Sequence, residues 1–322
     1  MSKCDVEIEF DRSSRTFVPG EAVSGKVHVT ANKDVASNGV KVEVLWRTHG
    51  RGNRAGETLD TISISGEQLP AGHRRSYTFS FKAPDGPLTY HGRYLNVDQY
   101  IRARVDIPWA FDPKAEVEYI LLGNPAGESH FSDPGITCTG SSYKASWSGL
   151  LFFVVIATIV TFAAYPLGAL SWLLVVSRLF KMLRDFLVSR KVGATSFHLD
   201  KSHASPGQTV KMTLECSPSG PMQLNTIAAT LKAREIVISG SETNRSTHTH
   251  TVHDEQFIIC EGAQLNLGPQ TLEGSITIPE TEAWTFQASS NVLKWTLTVR
   301  VDISGWPDWV GDTEITVVPG PA

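Results

Sequence analysis

The chain has 322 residues, which is enough for two domains of ordinary size that each bury their own core. Its 29 basic and 33 acidic side chains give a formal net charge of -4, which argues against a nucleic-acid binder that relies on bulk positive charge. The four cysteines lie far apart, with no CxxC pair and no dense framework, and this usage is typical of a reducing compartment.

Strand-like segments come first in the chain. Residues 1–10 alternate charged with apolar side chains, which predicts a strand rather than the apolar core of a signal peptide. Turn-forming clusters such as Val18 to Glu21 and Ala83 to Pro87 separate further β-branched or alternating segments. The predicted strands of this part, about seven in number, cover 5–10, 23–30, 40–46, 61–65, 77–82, 100–107 and 117–122.

The part after Gly193 has the same character. Its predicted strands cover 210–216, 226–238, 257–259, 274–278, 294–303 and 313–318. Seven or so short strands separated by turns are typical of an immunoglobulin-like sandwich, in which two antiparallel sheets bury alternate side chains against each other. The sequence therefore predicts an all-β chain with two such β-sandwiches in tandem.

Three landmarks recur in the same order in both parts and indicate an internal duplication. Arg104 to Ile107 is repeated identically at Arg300 to Ile303. The other two pairs are a Pro-Gly turn that feeds a strand, at 19–23 and 206–210, and a strand ended by proline, at 79–84 and 275–279. We therefore expect the two Arg-Val-Asp-Ile segments to occupy equivalent strands.

A segment without charge, Ala145 to Ser177, separates the two parts and is roughly 33 residues long. A single span needs only about 20 residues, and Pro166 with Gly168 near the middle is a natural point of reversal. The sequence therefore predicts a transmembrane helical hairpin, with a single span or a soluble amphipathic second arm as alternatives. The residues assigned to the membrane are Trp147, Phe152, Phe153, Tyr165, Pro166, Gly168 and Trp172.

Basic residues after this segment set the predicted topology, because an excess of Lys and Arg marks the cytoplasmic side. A hairpin would return the first sandwich to that side, so we expect an integral membrane protein with both β-sandwiches cytoplasmic. The predicted division is a first sandwich at 1–124, a linker at 125–145, a hairpin with an amphipathic extension at 146–190, and a second sandwich at 194–322.

Four segments of the first part resemble the arrestin-like family: FVPGEAVSGKV at 17–27, VLWRTHGRG at 44–52, YTFSFKAP at 77–84 and YIRARV at 100–105. The second part is similar more loosely, through its Pro-Gly turn and the stretch from Trp295 to Asp308. The resemblance implies two tandem arrestin-like β-sandwiches in a non-catalytic adaptor. It also implies that concave faces and loops bind membrane proteins or trafficking components.

One histidine-rich segment is the candidate for catalytic chemistry. His248 and His250 would share one face of a strand and could hold zinc together with a carboxylate, with His253 close by. A polar hairpin edge is the favoured alternative. Since no nucleophile beside a base and no nucleotide-binding motif stands out, the sequence predicts no enzyme, cofactor, metal site or small-molecule substrate.

Two groups of basic side chains are candidates for contact with an anion or a lipid headgroup. One is a glycine-rich loop with Arg47, Arg51 and Arg54; the other is Arg178, Lys181 and Arg184 after the uncharged segment. Three tryptophans follow the repeated strands, and we expect Trp109, Trp306 and Trp309 to pack at the ends of the sandwiches or between them.

The predicted function is a non-catalytic, membrane-anchored adaptor or scaffold that binds protein partners at the cytoplasmic membrane face. The expected partners are proteins, membrane proteins among them, and the lipid bilayer, with no nucleic acid. One alternative is a single-span protein with separated ligand-binding or structural sandwiches. The other is a metal-dependent enzyme built on His248, His250 and His253.

Overall fold

The structure is a computed structural model of the chain. It describes residues 3–123, 135–139, 154–156, 158–159, 161, 172–173, 175–180, 182–183, 188 and 191–320. We refer to residues 3–123 as the first half and to 135–139 with 191–320 as the second half. The chain is mostly β, as the sequence predicts.

The first half forms eleven strands, and each of the seven predicted segments lies largely within one of them. The strands are β1 (Cys4–Phe10), β2 (Thr16–Phe17), β3 (Ala22–Ala31), β4 (Val35–Ala36), β5 (Gly39–Gly50), β6 (Gly56–Ser65), β7 (Gln68–Leu69), β8 (Arg74–Lys82), β9 (Tyr90–His91), β10 (Leu95–Asp106) and β11 (Lys114–Leu121). One sheet has the order β1-β3-β8, and a larger sheet has the order β2-β11-β10-β5-β6, with β9 beside β10.

The second half repeats this plan. Its strands are β12 (Ile136–Thr139), β13 (Thr195–Leu199), β14 (His203–Ala204), β15 (Thr209–Cys216), β16 (Met222–Ser239), β17 (Ser246–Glu261), β18 (Gln264–Leu265), β19 (Gln270–Thr277), β20 (Phe286–Gln287), β21 (Asn291–Ile303) and β22 (Trp309–Val317). The smaller sheet has the order β12-β13-β15-β19, and the larger has the order β14-β22-β21-β16-β17. Strand β12 lies within the range predicted as a linker and pairs with β13.

Each half has its own buried core. Side chains alternate between buried and partly exposed along the central strands, and in β21 this alternation continues through all thirteen residues. One cluster joins both sheets of the first half around Phe79, Ile101 and Tyr119. The other joins both sheets of the second half around Phe197 and Trp295. The apolar side chains that recur at every second position of the sequence are therefore the ones that form the two cores.

The repeated Arg-Val-Asp-Ile segments occupy equivalent places. Arg104 lies in β10 between β5 and β11, and Arg300 lies in β21 between β16 and β22. The two larger sheets have the same strand order, and a separation of 196 residues relates β10 to β21. The structure thus confirms that the two segments lie in equivalent strands, and the separation of 196 residues allows position-by-position comparison of the halves.

The prediction of an integral membrane protein with a transmembrane hairpin is wrong. In the described part of the chain, no helix combines the length and the apolar character needed to cross a bilayer. An uncharged composition is necessary for a span, but crossing also requires about 20 continuous helical residues.

Candidate functional site

Glu235 of β16 lies at the centre of a junction between the halves. Its side chain is fully buried, and its carboxylate accepts hydrogen bonds from the Tyr90 hydroxyl at 2.7 Å, the Arg93 N–H at 3.0 Å and the Tyr94 N–H at 2.8 Å. Burying a carboxylate is costly unless such donors replace its water shell. Burial, followed by the hydrogen bond to Glu235, raises the pKa of Tyr90, so the phenol remains a donor.

A second set of polar contacts joins the halves through Asn291, at the start of β21. Its side-chain amide donates to the Thr48 hydroxyl at 3.1 Å and to the Asn53 carbonyl at 2.7 Å. Asn53 also donates from its own amide to the Gly240 carbonyl at 2.8 Å and accepts from the Gly240 N–H at 3.1 Å. The turn after β5 and the turn after β16 therefore meet tip to tip.

Apolar packing continues across the same junction. Trp46 of the first half packs edge-on against Phe286 of the second, with ring centroids 5.7 Å apart and an interplanar angle of 89°. Trp46, Leu95 and Val97 belong to the core cluster of the second half, and Trp284 packs against both clusters. The junction is thus a continuous core rather than a solvent-filled hinge.

The two polar anchors are related by the internal repeat. Thr48 pairs with Val97 across β5 and β10, and Glu235 pairs with Leu293 across β16 and β21. Val97 and Leu293 are separated by the 196 residues of the repeat. Thr48 and Glu235 are therefore counterparts, and each accepts a hydrogen bond from the opposite half.

A groove of about 690 Å³ runs along the junction with walls from both halves. Ile120, Leu122 and Val252 line it as partly exposed apolar side chains. Its polar lining residues include His91, Arg93, Glu235, His250, Thr281 and Glu282. An adjoining cavity of about 470 Å³ shares Leu122, Thr281 and Glu282 with it. The groove is lined by both apolar and polar side chains, a mixed lining that suits a polypeptide segment.

Comparison with protein-family models and with curated proteins found no match.

The arginines of the predicted anion-binding loop are only partly brought together. Arg47 forms a bidentate pair with Glu116 at 2.7 and 2.8 Å, which holds the pKa of that carboxyl below its usual range. Arg47 and Arg54 line one cleft of about 400 Å³, whereas Arg51 stacks on Tyr94 at 5.1 Å. Anion binding at Arg47, Arg51 and Arg54 stays a prediction, and the cleft is where it would be tested.

The three histidines of the predicted zinc segment do not converge. They lie on β17, the last strand in the order of the larger sheet. This position agrees with the alternative interpretation of the segment as a polar hairpin edge. His248 Nε2 lies 3.2 Å from the Ser239 hydroxyl, and His253 Nε2 lies 3.2 Å from the Glu255 carboxylate. The ring of His250 lies 5.6 Å from the ring of Tyr94, measured between centroids. Among the described residues, the group close enough to hold a metal is a different one: His91, Asp98 and Glu118.

The tryptophans predicted to pack behave differently from one another. Trp309 is buried and meets Phe197 edge-on at 6.4 Å. Trp306 is partly exposed and lies 5.6 Å from the Lys191 ammonium. Trp109 is fully exposed, so the packing prediction is wrong there.

One residue assigned to the membrane and one assigned to its basic flank can be placed. The indole N–H of Trp172 donates to Thr161 at 3.1 Å, and Arg178 is exposed on a helix. The other residues assigned to the membrane or to its basic flank lie outside the described residues: Trp147, Phe152, Phe153, Tyr165, Pro166, Gly168, Lys181 and Arg184.

Glu235 is the functional residue that sequence reasoning missed, although a signal was present. Along β16 the buried positions alternate, and Leu231, Ala233 and Val237 share the buried face with Glu235. A carboxylate in an apolar row needs dedicated donors. The donors come from a turn about 140 residues earlier in the chain, so spacing alone could not identify them.

Proposed function

We propose that this chain is a non-catalytic adaptor or scaffold that binds protein partners in the groove between its halves. In this proposal each half is an immunoglobulin-like β-sandwich of the arrestin-like type. The observation that carries the proposal is the buried junction around Glu235, which joins two groove walls from different halves into one body.

The strand plan supports the arrestin-like assignment. Each half has two sheets around one core, and the larger sheets share one strand order. The segments at 17–27, 77–84 and 100–105 that resemble the family lie mostly in strands of the first half. A tandem pair of this kind is the arrangement that the resemblance implies, and its expected role is adaptor binding.

The chemistry of the groove supports binding rather than turnover. The carboxylate of Glu235 already accepts from three donors, so it is not free to act as a general base. The remaining wall offers apolar contact from Ile120, Leu122 and Val252, together with cationic Arg93 and anionic Glu282. Apolar contacts with a few charges of both signs suit an extended polypeptide segment.

Site-specific photo-crosslinking tests this proposal. A photoreactive amino acid at Ile120 or Val252 places the probe in opposite walls of the groove, where these side chains are 37% and 38% exposed. Leu59 is the matched control, since it is 36% exposed but lies on β6, three strands away from β11.

We expect both groove positions to capture the same partner proteins in cells of the source organism, and Leu59 to capture none of them. Glu235→Ala should weaken capture at both groove positions because it releases the junction. Two results would contradict binding in the groove. One is equal capture of these partners at Leu59; the other is capture at only one groove position that Glu235→Ala does not weaken.

A further inference from the structure

Two histidines and two carboxylates converge on the outer face of the larger sheet of the first half. His49 comes from β5, His91 from β9, Asp98 from β10 and Glu118 from β11, so four neighbouring strands supply one side chain each. The register aligns His49 and His91 with the same residue of β10, Asn96, from its two sides. The sheet itself therefore brings the four together.

Asp98 is the centre of this cluster. Its side chain is only 1% exposed, although it lies on the outer face of the sheet, because the two imidazoles cover it. Oδ1 lies 2.7 Å from His91 Nε2, and Oδ2 lies 2.6 Å from His49 Nδ1. The second contact is not aligned as a hydrogen bond, so Oδ2 is a buried oxygen without a hydrogen-bond donor.

Glu118 forms a group with His91 and Asp98, and His49 joins this group through its contact with Asp98 Oδ2. The ligand atoms of His91, Asp98 and Glu118 all lie within 4.8 Å of one another. The histidine side chains are 49% exposed for His49 and 60% for His91, so an ion can reach the cluster from solvent and the rings can adjust. The buried carboxylate of Asp98 is thus surrounded on its solvent side by two imidazole nitrogens and the carboxylate of Glu118.

Imidazole nitrogen and carboxylate oxygen are the donor types that bind zinc, at about 2.0 to 2.2 Å, and tetrahedral ligands then lie about 3.2 to 3.5 Å apart. The present separations of 2.6 and 2.7 Å are shorter, so each imidazole must withdraw from Asp98 by less than about 1 Å to admit the ion. We propose that His49, His91, Asp98 and Glu118 form a zinc-binding site.

The internal repeat supplies a comparison within the same chain. The positions of the second half that correspond to the four residues carry Ile236, Gln287, Lys294 and Glu314. Only the glutamate is retained, and it is neutralised by Lys294 at 2.7 Å. Because the second half builds the same sheet without the cluster, the sheet does not need these side chains for its architecture. This favours a ligand-binding role for the cluster.

The site is independent of the adaptor proposal, although His91 also lines the groove. Zinc binding is measured on the isolated chain and needs no protein partner. Failure of the crosslinking experiment leaves this inference in place, and failure of zinc binding leaves the groove in place.

The test uses the full chain, stripped with a chelator and titrated with zinc chloride alone in a calorimeter. We expect one zinc ion per chain. Cobalt in place of zinc should give the visible absorption of a four-coordinate N and O site.

Substitutions locate the site. The double variant His49→Gln with His91→Gln alters exposed side chains and should fold, and we expect its zinc affinity to fall at least about a hundredfold. Asp98→Asn should have a similar effect. The control is His28→Gln, which removes a histidine that faces a single carboxylate, that of Glu9, at 3.0 Å and should leave binding unchanged.

Absence of stoichiometric zinc in the unmodified chain would overturn the inference. It would equally be overturned if the double histidine variant, shown folded by circular dichroism, bound zinc as tightly as the His28 control. If Asp98→Asn does not fold, the double histidine variant alone decides the matter.

Discussion

Thr48 and Glu235 occupy corresponding positions in the two halves, and each is buried against the opposite half. Thr48 accepts a hydrogen bond from Asn291, which begins β21 of the second half, and Glu235 accepts hydrogen bonds from a turn of the first. The same position of the duplicated sheet therefore anchors the junction in both halves. The first half uses the neutral hydroxyl of Thr48, and the second half uses the carboxylate of Glu235.

Loss of the Glu235 anchor should be costly. Glu235→Ala leaves the Tyr90 hydroxyl and the N–H groups of Arg93 and Tyr94 buried without an acceptor. We expect the free energy of unfolding, measured by urea denaturation, to fall by about 3 kcal/mol. Glu314→Ala, which breaks a surface pair, is the control and should change it by less than about 0.5 kcal/mol. Equal effects would contradict the role of the anchor.

A methyl group added at Gly92 should strain the same junction. A Cβ atom there would overlap Glu235 Oε1 and approach the Tyr90 hydroxyl at 2.6 Å. Gly92→Ala should therefore destabilise the fold by about 1 to 3 kcal/mol, because the carboxylate must leave its donors. The matched control is Gly220→Ala, where a Cβ meets nothing within 4 Å. Thermal unfolding of the two variants side by side measures the difference.

Truncation of Trp46 tests the apolar part of the junction. Trp46→Ala removes a buried ring that packs on Phe286 and should cost about 3 to 5 kcal/mol. Trp109→Ala is the control, since Trp109 is fully exposed and its loss should be close to neutral. If both variants unfold at the same urea concentration, the two halves do not depend on this contact.

The four thiols should fall into two classes. Cys4 and Cys216 are buried, and burial raises the pKa of both, whereas Cys138 and Cys260 are partly exposed. A raised pKa means less thiolate at about pH 8, and thiolate is the reactive form. We therefore expect two thiols per native chain to react rapidly with a disulfide reagent, and four after denaturation.

Variants assign these classes. Changing Cys138 and Cys260 to serine should abolish the rapid phase, because the remaining thiols are shielded. A rapid phase that persists in this double variant would show that Cys4 or Cys216 is accessible in the folded chain. Raising the pH should accelerate the slow thiols only as it approaches their raised pKa.

The strands were predictable because they depend on local pattern. Each of the seven segments proposed in the first half lies largely in a strand, and the Arg104 and Arg300 segments lie in equivalent ones. The alternation that identified them reflects burial of every second side chain, which is a property of each strand alone. Strand β13 (Thr195–Leu199) was not among the predicted strands.

The site could not be derived in the same way. Glu235 meets Tyr90 across 145 residues, and Asn291 meets Thr48 across 243, so the tertiary packing alone creates these contacts. The histidines at 248 and 250 were selected for their spacing, yet a metal-type group forms from His91, Asp98 and Glu118 on three separate strands. The membrane prediction was wrong because it rested on composition alone, whereas a span also requires a helix of about 20 apolar residues, and the described part of the chain contains none.

The two anchors, with the tip-to-tip contact of Asn53 and Gly240 between the turns, also restrict rotation of one half against the other. Contacts at three separate points oppose rotation about any single axis, so the chain itself fixes the width of the groove. For the proposed adaptor, a preorganised groove would spare the complex the entropy loss of ordering the two halves and would favour partners that fit a fixed width. A pair of spin labels across the groove should then report one narrow distance distribution, the same with and without a bound partner.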